Sequence, residues 1–111
     1  MIPTLGRIVA YKLTAYDAEA INKRRADLHA SGFAQQNTGG QCHIGNSVAA
    51  GDVYPMVITR VWSTMPGGAV NGQVLLDGND TFWSCSRSMM VDEETGQPLE
   101  GSWALFPRVE G

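Results

Sequence analysis

The chain has 111 residues, 43% of them apolar, 17% charged and 13 of them glycine, which suits one small β-rich core with tight turns and leaves too little chain for two cores. Its net charge of −3 argues against an extended duplex nucleic-acid partner. No apolar run approaches the ~20 residues of a membrane span, and MIPTLGRIVAYKLT at the start is no signal peptide, so a cytoplasmic protein with no membrane partner is expected.

Residues 6–13 (GRIVAYKL) alternate as a strand does, with Ile8, Ala10 and Lys12 on one face and Val9, Tyr11 and Leu13 on the other. Thr14 opens a helix over residues 15–30, where Thr14 and Asp17 have the spacing of a capping box and Ser31-Gly32 supplies the stop. The stripe of Ala18, Ile21, Arg25 and Leu28 is thin, so this helix should cover a flank or open end and not a centre. Lys23-Arg24-Arg25 is either a solvated face, with Glu19 and Asp27 as neighbours, or an anion site. In the second case Arg25, closer to the stripe of Ala18, Ile21 and Leu28, is the buried clamp and Arg24 the rim charge. Both should outweigh Lys23, because a guanidinium fork matches two oxygens of a phosphate.

Residues 33–40 (FAQQNTGG) read as a loop or flap, and His43 and Asn46 sit at the turn that follows a short extended segment. Cys42 and Cys85 read as small buried hydrophobes, since neither has zinc-site spacing with another ligand, and no metal is expected. Residues 53–62 (VYPMVITRVW) form the longest strand, with Tyr54, Met56, Ile58, Arg60 and Trp62 on one face. Pro55 should put its beginning at an edge or bulge.

Residues 70–86 (VNGQVLLDGNDTFWSCS) make a hairpin around Asp77-Gly78-Asn79-Asp80. With Asp77 opposite Asp80, Val74 faces Trp83, so that Val74, Leu76, Trp83 and Cys85 form a core face and Asn71, Gln73, Leu75, Phe82, Ser84 and Ser86 a half-polar outer face. An acidic turn at residues 92–97 and a closing strand within residues 102–106 complete the chain. The expected fold is a β-rich α+β domain: a small, partly open, SH3-like antiparallel barrel of five or six strands with the helix over one end.

Enzyme motifs are missing: there is no phosphate loop, no G-x-G-x-x-G, no nucleophile elbow and no helical metal pair. A non-catalytic protein with no cofactor is expected. Binding chemistry is better supplied. Trp62 offers a stacking face beside Arg60, Asn46, Asn71 and Gln73 can read base edges, and Arg24, Arg25 or Arg60 can neutralise phosphate, with His43 nearby.

Four segments taken in order, GRIVAYKL, DAEAINKRR, HIGNSVAAGDVYPMVITRVW and VNGQVLLDGNDTFW, resemble a group of small proteins encoded by tailed bacteriophages and prophages. The resemblance covers roughly residues 2–86 and implies a phage context, hence the host cytoplasm. Small phage proteins are commonly virion or assembly parts, or inhibitors of host defence that sequester nucleotide signals. The expected function is therefore to bind and sequester a small anionic nucleotide, such as a cyclic dinucleotide or related defence signal. The alternative is a virion or assembly component that makes protein contacts through the hairpin face. Two-faced apolar strands in so small a domain also predict a symmetric homo-oligomer.

Overall fold

The structure, a computed structural model, describes residues 1–30 and 45–106. Its elements are β1 (Ile8–Lys12), α1 (Ala15–Ala30), β2 (Val53–Val61), β3 (Val70–Leu75), β4 (Thr81–Arg87) and β5 (Trp103–Ala104). They make an α+β fold with one antiparallel five-stranded sheet in the order β4-β3-β2-β1-β5. The sheet is open. Its two edges approach through a bridge between Met89, just past β4, and Trp103, where Trp103 N donates to Ser88 O at 3.2 Å. No helix among the described residues is long and apolar enough to cross a membrane.

The alternation of β1 produces a core face. Val9, Tyr11 and Leu13 are fully buried and pack with Met56, Ile58, Val70, Val74 and Trp103. The helix spans the expected residues and begins with the expected reciprocal cap: Asp17 N donates to Thr14 Oγ1 at 3.0 Å, and Thr14 N to Asp17 Oδ2 at 3.1 Å. Asp17 is buried, and its position is used further. The Tyr11 hydroxyl donates to Asp17 Oδ2 at 2.5 Å, and Arg87 Nη2 lies 3.5 Å from Asp17 Oδ1. Burial, and then this carboxylate, push the Tyr11 phenol up to about 12.

Because the apolar stripe of α1 is thin, the helix docks largely by polar ties from one ridge. Ile21 and Ala18 are buried, while Leu28 stays partly exposed. Asn22 pairs with both backbone groups of Val48, donating to its carbonyl at 2.8 Å and accepting its N–H at 3.0 Å.

The hairpin register differs by one residue from the expected one. Val74 faces Phe82, Gln73 faces Trp83 and Gly72 faces Ser84, across a five-residue loop at residues 76–80. A slip of one residue exchanges the two faces of a strand. Phe82 and Ser84 therefore turn to the core side, whereas Trp83 is 55% exposed and Cys85 is exposed too. Trp103, not Trp83, is the tryptophan of the core. The extra loop residue has a physical reason: Leu76 still tucks into the core, and Asp80 is drawn to α1.

A bulge makes the second correction. Ile58 faces Gly72, but Arg60 faces Asn71, so one extra residue sits at Thr59 in β2. Beyond it Val61 takes the core side, and Arg60 and Trp62 leave the face they would share with Met56 and Ile58. Pro55 precedes the pairing with β3, which starts at Met56, so its missing N–H costs no bond on that side.

Gly72 marks the tightest approach in the sheet. A Cβ there would lie 2.6 Å from Met56 Sδ and 2.9 Å from the Val57 carbonyl oxygen. Gly72→Ala should therefore lower stability by about 1–3 kcal/mol in urea unfolding. Cys85→Ser, on the exposed side, should stay within about 0.5 kcal/mol of the parent. Equal midpoints for the two variants would mean that Met56 does not pack over Gly72.

Candidate functional site

The residues expected to form a site separate into two groups at opposite ends of β3, and His43 lies outside the described residues. The first group joins α1 to the hairpin loop. Arg25 is buried, and its guanidinium grips one carboxylate with two bonds: Nε to Asp80 Oδ2 at 3.0 Å and Nη2 to Asp80 Oδ1 at 2.8 Å. Its Nη1 donates to the Asn46 carbonyl oxygen. Arg24, on the rim, donates from Nη2 to Asp80 Oδ2 at 2.8 Å. Asn46 Nδ2 reaches Asp77 Oδ2 at 3.1 Å.

The division into a buried and a rim arginine thus follows the helical geometry, but the anion between them belongs to this chain. Each guanidinium nitrogen of Arg25 has an internal acceptor. A cleft of about 330 Å³ opens beside it, lined in part by Asn22, His29 and Ser47. A phosphate there would have to displace Asp80. Lys23 is spent on its own helix, 2.7 Å from Asp27.

The second group is an open platform. Past the Thr59 bulge, Arg60 stands over the Trp62 ring, its guanidinium carbon 4.0 Å from the centroid. Trp62 is 53% exposed, yet its indole Nε1 donates to Asn71 Oδ1 at 2.8 Å and its backbone N–H to Ala69 O at 2.9 Å. Asn71 is buried, and the same oxygen accepts Ser86 N at 2.8 Å. Ser86 has φ 57° at the bulge of β4. Gln73 lies further along β3, beside Trp83 on β4 and Val57 on β2.

Charge is segregated around this platform. The strands β1 to β4 contain no aspartate or glutamate, and their charged residues are Lys12, Arg60 and Arg87. Arg87 turns inward to Asp17. Lys12 and Arg60 have no carboxylate partner among the described residues. Among the described residues, the carboxylates of this chain of net charge −3 lie on α1 and in the connections.

Sequence reading missed two participants. Asp80 reads as a turn residue, although an acid in a hairpin tip paired with an otherwise excessive basic triplet was a usable signal. Trp83 had none, because its face depends on loop length. Comparisons with family models, characterised proteins and solved structures found no match.

Asp80 supplies a pH test. Arg25, and after it Arg24, holds the Asp80 carboxyl down to about 2 against an ordinary 3.8. A depressed folded value means that the stabilisation is complete above the ordinary value and is lost as pH falls from about 4 towards 2. Asp80→Asn should cost about 2–3 kcal/mol at neutral pH, since it leaves Arg25 buried beside a neutral amide, and should flatten the acid limb of the stability profile in that window. Lys23→Ala should leave the profile unchanged. An unaltered acid limb in Asp80→Asn would rule out the Arg25 clamp.

Proposed function

We propose that this protein is a non-catalytic binder that captures a small anionic nucleotide on the outer face of its sheet. One observation carries the reading: a half-exposed Trp62 ring whose indole N–H is fixed by a buried amide, with the Arg60 guanidinium over it. A flat ring already held in place loses little conformational entropy when a base stacks on it. Arg60 supplies charge for a phosphate, and Gln73 an amide for a base edge. Arg24, Arg25 and Asn46 serve on this reading to hold the hairpin, because Asp80 and Asp77 occupy them.

In the phage setting implied by the four segments, the bound nucleotide is a sequestered host defence signal, such as a cyclic dinucleotide, taken up in the host cytoplasm. The strand order and the Met89–Trp103 bridge support a half-open, SH3-like barrel as the scaffold. The exposed Ile8 and Leu75 support a homo-oligomer. Together with the exposed Trp83 they favour a second reading, a virion or assembly component that docks another protein on this face.

Thermal shift and calorimetric titration with a panel of mono- and cyclic dinucleotides separate the two. At least one nucleotide should raise the melting temperature. Arg60→Ala and Trp62→Leu should each weaken it by about 1–3 kcal/mol, and Arg24→Ala should change affinity little. A panel without any shift, from a protein that still assembles in light scattering, would transfer the face to the second reading.

A further inference from the structure

The outer face is longer than one base requires. Trp62 follows Val61, which pairs with Val70, while Trp83 pairs with Gln73 two strands away. At about 3.3 Å per residue and about 4.8 Å per strand, their Cα atoms stand about 16 Å apart. A single base can cover one indole ring but not both. Between the two rings lie Arg60, Asn71 and Gln73, and no carboxylate occurs on β2, β3 or β4. Trp83 is 55% exposed, and its indole makes no hydrogen bond among the described residues, unlike Trp103, whose indole donates to the Arg87 carbonyl at 3.1 Å.

We infer that this face binds a single-stranded nucleic acid, with Trp62 and Trp83 as two stacking stations and Arg60 as the phosphate contact between them. The inference rests on the outer-face nucleotide reading and extends it from one nucleotide to a strand. Stacking is tolerant of sequence because every base has a π-face, and OB-fold platforms that stack bases in this way take ~4–16 nucleotides. A duplex would not suit the face, since its bases are stacked on one another and its phosphates need more cations than Arg60 and Lys12 provide. The path along β2, β3 and β4 carries no carboxylate to repel a phosphate backbone.

Fluorescence anisotropy with labelled strands of about 12 nucleotides, one of thymidylate and one of uridylate, tests this beside titrations with the mononucleotides and a cyclic dinucleotide. Either strand should bind at least tenfold more tightly than any mononucleotide, and the tighter strand identifies the sugar preferred. Trp83→Leu should weaken strand binding about tenfold and leave mononucleotide binding unchanged. Arg60→Ala should reduce the slope of log affinity against log salt by about 0.7. Strands that bind no better than a mononucleotide or cyclic dinucleotide, or a Trp83→Leu variant with full strand affinity, would overturn the inference while leaving the small-nucleotide reading in place. Strand binding without mononucleotide binding would support the inference and remove the small-ligand reading. No binding of any of these would remove both and leave the face to a protein partner.

Discussion

The closure of the hairpin loop on Arg25 is the constraint from which the layout of the sheet follows. Asp80 ends the loop and is held from α1 by two bonds from Arg25 and one from Arg24. Gly45 and Gly78 allow the neighbouring backbones to meet there: a Cβ on Gly78 would lie 3.1 Å from both Arg25 Nη2 and Gly45 Cα. With Leu76 buried at one end of the loop and Asp80 anchored at the other, five residues are needed, and that number sets the register of β3 against β4. A four-residue loop would have put Trp83 inside and Phe82 outside. An ion pair at the hairpin tip thus decides which aromatic ring of β4 is offered to solvent.

Two bulges complete the outer face, and a single atom ties them together. The Thr59 bulge turns Arg60 and Trp62 outward, and the bulge near Ser86 turns Arg87 inward to Asp17. Asn71 Oδ1 accepts from Trp62 on one side and from the Ser86 backbone on the other. A buried amide that satisfies donors from both neighbouring strands gives each irregularity a fixed geometry. The exposed tryptophan is consequently a positioned side chain, and its surface is available without being mobile.

The polar interior is used to attach the helix. A low-apolarity helix cannot dock on area alone, and α1 instead presents Asp17, Asn22 and Arg25 to partners on β1, on the segment before β2 and on the hairpin. Each is paired: among the described residues no buried side-chain polar atom lacks a partner. That is the condition under which such contacts specify one arrangement without a large desolvation loss. It also explains the distribution of charge. The helix cations are neutralised on the spot, and the cations of the strands either turn inward with Arg87 or stand unopposed on the sheet.

Local pattern determined what depends on neighbours in sequence. The alternation of residues 8–12, the Thr14–Asp17 cap, the helix ends, the strand at residues 53–61 and the existence of the hairpin are all functions of spacing within a few residues, and they are legible without a structure. The grouping of Arg60, Trp62, Asn71 and Gln73 was legible in part, because they occur on two adjacent strands. Tertiary structure decided the rest. Whether a hairpin loop has four residues or five depends on an arginine more than fifty positions earlier, and whether Arg60 follows Met56 and Ile58 inward depends on one unpaired residue in a ladder. Both choices invert a face of period two, so a change of one residue moved Trp83 from the core to solvent and brought Phe82 in. Periodicity names the two faces of a strand; only the packing partners say which one is inside.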